Sequence, residues 1–256
     1  MPEQPMMADP KARRLNEAIM KALGVLCLAA LPLLSETPSA SMPDLSGVWQ
    51  GPYTPDLTKP LGRDLPYTTF GLERFKNVVH ADDPTSYCLP VGPARAIQAP
   101  MPFQIVQSKG TVVLLFEYQH TFRLIYTDGR SHPEDLDPFS WFGDSTGRWE
   151  GQTLVVDTVG IGGDRTWLDT AGHQHSDQLH IVERFQRIDA DNMKWSVTFE
   201  DPKMYKEPFT VTLPLKRKDT VLMMYSCEEN EKDRKASGRH QAVSRRPVGH
   251  RLQSGQ

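Results

Sequence analysis

The sequence predicts an all-β fold, a single antiparallel β-barrel or a two-sheet sandwich, with a proline-rich N-terminal segment laid over it. Three observations carry that expectation. From Phe103 onward the chain is a succession of short β-branched and aromatic runs separated by connections of hairpin length. Counting LSGVWQG at the front, nine such runs are present, and nine strands at this spacing suit a closed or nearly closed barrel, or a sandwich. The chain has 256 residues, 38% apolar and 24% charged, with no internal repeat, which suits one globular domain with a sizeable core.

Residues 1–40 read as a signal peptide rather than as structure. Lys11, Arg13, Arg14 and Lys21 form a basic start, Ala22 to Leu34 is an apolar run broken only by Gly24 and Pro32, and Ser35 to Ala40 supplies small residues for cleavage after Ala40. That run is too short to cross a hydrocarbon core of about 30 Å as a permanent helix. Leu45–Gly51 is the opening strand, with a Gly47-x-Trp49 element. Pro52, Pro55, Pro60 and Pro66 then impose an extended loop. Thr68 or Thr69 caps a short helix reaching about Asn77, with Leu72 and Phe75 one turn apart for burial. Pro84, Pro90, Pro93, Pro100 and Pro102 return the chain to loop, and long proline-rich segments of this kind often cover a site.

The remaining strands are FQIVQ, TVVLLFEY, FRLIY, TLVVDTV after a turn at 149–152, QLHIVERFQRI, MKWSVTFE, PFTVTLPLK and VLMMYSC. VVLLF is apolar on both faces, which places the core on one side and the proline-rich cover on the other. The barrel domain spans 41–230. Residues 231–256, with seven Lys/Arg against two Asp/Glu, read as a basic disordered tail.

Export decides the cysteines. Cys27 leaves with the signal peptide, so Cys88 and Cys227 remain as an even pair in an oxidising compartment and are expected to form a disulfide. In the chain-entropy picture, closing so long a loop contributes roughly 4–5 kcal/mol. The formal charge of −3 gives no reason to expect nucleic acid or an anionic membrane surface as partner.

Two resemblances add to this reading. The Gly-x-Trp element near the first strand is similar to that of lipocalin- or calycin-like barrels, in which the tryptophan plugs the closed end. The phrases SYCLPVGPAR, FEYQHTFRLIYTDGR, WFGDSTGRWEGQTLVVDT and WLDTAGHQHSDQLHIVERF resemble an uncharacterised family of exported bacterial proteins, over about Leu45 to Asn230. That resemblance implies export and a single domain, and leaves the chemistry to the residues.

Candidate chemistry concentrates in DRTWLDTAGHQHSDQLHIVE, at 164–183. His173 and His175 point to one side if the piece is extended, but no Glu follows at metal-site spacing, so no metal ligands are assigned. In QLHIVERF, Glu183 falls on the more apolar face with Leu179, Ile181 and Phe185, either as an acid or base lining the barrel mouth or as an ion-pair partner of Arg123 or Arg184. A hairpin centred on His120 sets Glu117 opposite Arg123, and Tyr118 opposite Phe122. Tyr126, Trp141 and Trp167 supply aromatic surface for a ligand, and Asp144 a carboxylate. GDSTG around Ser145 has the spacing of a nucleophile elbow without its strand–elbow–helix setting, and no phosphate loop, dinucleotide fingerprint or CxxC is present.

The reading that follows is an exported barrel binding a small apolar or aromatic molecule, without a cofactor and without a membrane span in the mature form. His173, His175, Glu183 and Asp144 would carry acid–base chemistry of an isomerase or a lyase/hydratase type, and Glu117, Arg123, Tyr126, Trp141 and Trp167 would hold the ligand. The competing class is a non-catalytic periplasmic binding or envelope-interaction protein. The sequence leaves the oligomeric state open.

Overall fold

The computed structural model of the chain describes residues 42–137, 140–163 and 165–227. The expected signal peptide and basic tail lie outside the described residues. Within them nine strands form a closed barrel: β1 (Gly47–Gln50), β2 (Phe103–Ser108), β3 (Thr111–Phe116), β4 (Phe122–Tyr126), β5 (Asp144–Glu150), β6 (Thr153–Val159), β7 (His180–Arg187), β8 (Asn192–Glu200) and β9 (Phe209–Lys218). Each strand pairs with the next and β9 returns to β1. The barrel, not the sandwich, is therefore the architecture, with one strand more than the eight of a lipocalin barrel. One junction departs from the antiparallel rule, because β4 meets β5 in parallel through Tyr126 and Thr146.

Period-2 alternation builds the core. On β8, Met193, Trp195, Val197 and Phe199 are buried, and across the register Leu215, Leu213, Val211 and Phe209 of β9 are buried beside them. Trp49 is fully buried and donates its indole N–H to the Leu45 carbonyl at 2.9 Å. Stacked or tilted ring pairs such as Phe199–Phe209 (5.1 Å) and Phe103–Phe116 (5.8 Å) fill the interior. Each such side chain, fully buried, contributes about 1.5–3 kcal/mol.

Two strand assignments change. DSTGRWE forms β5, although Asp, Ser and Gly are poor strand formers and the segment reads as a loop. Pairing along its whole length with β6, from Asp144↔Val159 to Glu150↔Thr153, overrides that propensity. Conversely VLMMYSC forms no strand. The barrel closes through β1 and β9, leaving it no partner, and Val221, Met223 and Met224 stand exposed.

The segment between β1 and β2 contains three short α-helices, α1 (Thr58–Leu61), α2 (Thr69–Lys76) and α3 (Pro93–Gln98). Thr68 caps α2, accepting from the Gly71 N–H at 3.0 Å. Leu72 is exposed, contrary to expectation; the buried residue of the helix is Gly71, where a Cβ would come within 2.1 Å of the Met204 carbonyl oxygen. All six residues of α3 are buried.

This segment does cover the barrel, but elsewhere than expected. It packs on the β6–β7 and β8–β9 loops: Leu57 N–H donates to Asp169, Ala171 N–H to the Pro55 carbonyl and Thr68 N–H to the Met204 carbonyl, at 2.8, 2.8 and 2.9 Å. The outer face of β3 is flanked instead by exposed Val106, Phe122 and Leu124. Cys88 and Cys227 form the expected disulfide, with Cα atoms 5.5 Å apart. No helix among the described residues is long and apolar enough to cross a membrane.

Candidate functional site

Glu183 does face inward. It is fully buried on β7, and Arg123 on β4, 2% exposed, meets it across the barrel with Nη2 2.5 Å from Oε2. Arg123 also donates to Ser145 Oγ at 3.0 Å and Thr158 Oγ1 at 2.6 Å, while the Trp195 indole donates to the other Glu183 oxygen at 3.0 Å. Of the two roles open for Glu183, the ion pair with Arg123 is the one realised in this geometry. Ser145, Thr158 and Trp195 thus bind the two charged groups between them, the kind of added hydrogen bonding that offsets the cost of burying a pair.

Glu117 does not face Arg123. The β3–β4 register sets Leu114 opposite Arg123 and Leu115 opposite Phe122. Gln119 and His120 adopt φ of 58° and 51°, which centres the turn earlier than His120 and takes Glu117 and Tyr118 out of the strand. Glu117 instead accepts the Met223 N–H at 2.8 Å.

The two histidines of the β6–β7 loop keep separate company and are buried rather than set at an open mouth. His173, 2% exposed, shares its Nδ1 with Asp169 at 2.5 Å and stacks on Phe75 at 4.8 Å between centroids. His175, fully buried, meets Thr166 Oγ1 at 2.7 Å and the Ser176 carbonyl at 2.8 Å. Trp167 is buried with the edge of His80 6.3 Å away. One donor atom each of Asp56, Asp169 and His173 lie within 4.8 Å of one another. Backbone and side-chain donors already occupy these carboxylates, from Leu57 and His173 on Asp169 and from Thr58 on Asp56. The trio thereby fastens the cover to the loop.

Asp144 belongs to a different group, on the outside of the barrel. His132, in the β4–β5 connection, touches Asp144 through Nδ1 at 2.5 Å and Asp157 through Nε2 at 3.0 Å; His180 then meets Asp157 at 3.1 Å and Glu200 at 3.4 Å. Burial, the largest single influence on His132, opposes its charge, but the hydrogen bonds to Asp144 and Asp157 outweigh it and raise its pKa. Asp157 is pulled upward by burial and more strongly downward by His180 and His132, so its pKa is lowered.

The sign of the linkage follows. The His132 contribution is complete below its unfolded pKa of about 6.5 and is lost as pH rises through the raised folded value. The Asp157 contribution is present above about 3.9 and is lost as pH falls through the lowered value. Urea unfolding of wild type is therefore expected to show stability declining on the alkaline side, and His132→Gln to show a shallower decline. An identical slope in the variant would remove His132 from the linkage.

Tyr126 and Trp141 are engaged by cations, Arg130 lying 3.9 Å over the one ring and Arg165 5.1 Å over the other. A cleft lies apart from both rings. It measures about 250 Å³ and opens between the cover and the barrel, lined on the cover side by Tyr53, Thr54, Thr85, Val91, Ala99 and Pro100. Arg95 and Gln98 of α3, Tyr118 beyond β3 and Thr170 of the β6–β7 loop complete it.

Pro93 in the first turn and Gly92 at φ 81° before it start α3 at this wall. Arg95 makes a bidentate pair with Asp83 at 2.9 and 2.7 Å and reaches Thr85 and Thr170, each at 3.4 Å. Gln98, 1% exposed, donates from Nε2 to the Leu168 carbonyl at 3.4 Å, and its Oε1 has no partner among the described residues. Burial raises the Tyr118 phenol, and Tyr225 stacks on its ring at 5.8 Å.

None of the nine residues assigned from sequence to catalysis or ligand binding lines this cleft. The signal that pointed to it was the proline-rich composition of 52–66 and 81–102, read as a cover over a site. No family model matches the chain, and no curated protein matches it.

Proposed function

We propose that the protein is an exported binding protein that holds a small organic molecule in the cleft beneath its cover, without turning it over. The observation that carries this reading is the cleft itself, with aromatic, apolar and hydroxyl side chains together on its walls. Binding is preferred to acid–base catalysis because His173, His175, Glu183 and Asp144 are committed to partners away from the cleft. The β-barrel fold is compatible with ligand binding. The basic and apolar start at 1–40 and the Cys88–Cys227 disulfide support export to an oxidising compartment.

Native mass spectrometry of protein taken from its own envelope fraction tests this. The expected result is a bound organic molecule on the wild type that is depleted in Ala99→Phe, which fills the cleft. A ligand retained equally in Ala99→Phe places the site elsewhere, and protein without any bound molecule counts against the binding reading.

A further inference from the structure

We infer that the ligand of this cleft is an uncharged ring bearing hydroxyl groups, a class that includes both a monosaccharide ring and a phenol. The inference rests on the binding reading and adds the chemical class. Four observations lead to it.

The charges of the site cancel within the protein. Both terminal nitrogens of Arg95 are taken by the two oxygens of Asp83, in a pair that is about nine-tenths buried. A carboxylate or ammonium ligand would enter without a counter-charge and would lose its hydration for no matching partner. A neutral ligand carries no such cost.

The free hydrogen-bonding capacity is of both kinds. Thr54 gives its O–H to the Pro52 carbonyl at 3.0 Å, so its hydroxyl oxygen is left to accept. Thr85 and Thr170 accept from Arg95 through their hydroxyl oxygens, so each keeps its own O–H to give away. A group that donates to one wall and accepts from another is a hydroxyl.

The remaining walls suit a ring. Tyr53, 54% exposed at the rim, and the half-buried Tyr118 offer aromatic surface, while Val91, Ala99 and Pro100 are apolar. The volume of about 250 Å³ lies just below the range of roughly 300–1,000 Å³ usual for larger ligands, which suits a single ring.

The test titrates the full-length protein, freed of ligand, with four probes followed by ligand-observed NMR: methyl β-glucopyranoside, phenol, benzoate and benzylammonium. The expected result is saturable binding of methyl β-glucopyranoside or phenol, with the two charged rings at least tenfold weaker. Whichever neutral probe binds distinguishes a saccharide from a phenolic ligand. Thr54→Val is expected to weaken that probe about fivefold, the scale of one neutral hydrogen bond. Because Thr54 is buried, Tyr53→Ala at the exposed rim provides a second variant, also expected to weaken binding with the melting temperature unchanged.

Preference for benzoate or benzylammonium overturns the inference while leaving a binding cleft in place. Unchanged affinity in both variants overturns it too. Binding of none of the four probes, together with a molecule retained in native mass spectrometry, overturns the ligand class alone. The same silence with no retained molecule removes the binding reading as well.

Discussion

Glu183→Ala is expected to lower the unfolding free energy by about 3–5 kcal/mol, because it leaves the Arg123 guanidinium charged and uncompensated inside the barrel. It also strips the Trp195 indole of its acceptor. Two controls separate this from simple loss of volume. Glu183→Gln keeps an acceptor for Trp195 and should recover part of the loss. The double replacement Arg123→Met with Glu183→Leu removes both charges together, and exchanging a buried pair for apolar groups of similar size is often neutral or stabilising by about 1–4 kcal/mol. The double variant should therefore be more stable than either single one in urea unfolding. A Glu183→Ala barrel within about 1 kcal/mol of wild type would mean that the pair is hydrated or that Arg123 finds another partner. Among the described residues Arg123 Nη1 lacks a partner even in the wild type, so the network sits near the limit of what the interior satisfies.

This pair also shows how far the sequence could be read. The inward aim of Glu183 follows from alternation alone, since Leu179, Ile181 and Phe185 share its face and all are buried. Its partner could be narrowed only to Arg123 or Arg184, because the choice depends on which strands curve toward each other across the barrel. Seven of the strands after β1 that pattern and β-branched composition mark are present, at β2–β4 and β6–β9. The misses have local causes. β5 is held by its neighbour against its own propensities, and the Glu117–Arg123 pairing fails because two non-glycine residues with positive φ shift the turn.

The cleft was less legible. Its lining comes from the cover, the β3–β4 turn and the β6–β7 loop, so no single stretch carries the pattern. Arg95 and Gln98 look like ordinary solvent-facing residues of a six-residue helix until the cover folds over them. Concentrations of histidine and aspartate were easier to see than a cavity, and here they serve to tie the cover and the β4–β5 connection to the barrel.

Cys227→Ser should reveal how the last described segment is held. The disulfide spans a sequence separation of 139, and relief of so long a loop in the unfolded chain amounts to roughly 4–5 kcal/mol. The folded state recovers some of this. Residues 219–227 form no strand, and Val221, Met223 and Met224 are 78%, 68% and 88% exposed, so little apolar burial holds the segment down. Its attachments near the barrel are the Met223 N–H on Glu117 and the Tyr225 ring on Tyr118. Once the sulfur link is gone, ordering each residue there costs about 1–2 kcal/mol, more than these two attachments offset. The segment is then expected to lift from a barrel that stays folded. Hydrogen exchange would report lost protection at Met223, with β6–β8 still protected, and the net loss of stability would fall below the full loop-closure value. Tyr118 lines the cleft, so losing Tyr225 from its ring should also weaken ligand retention. Free-thiol titration of the unreduced wild type is expected to find none of the pair reactive. Two reactive thiols, or a Cys227→Ser protein with wild-type stability and exchange, would show that packing rather than the covalent link fixes this segment.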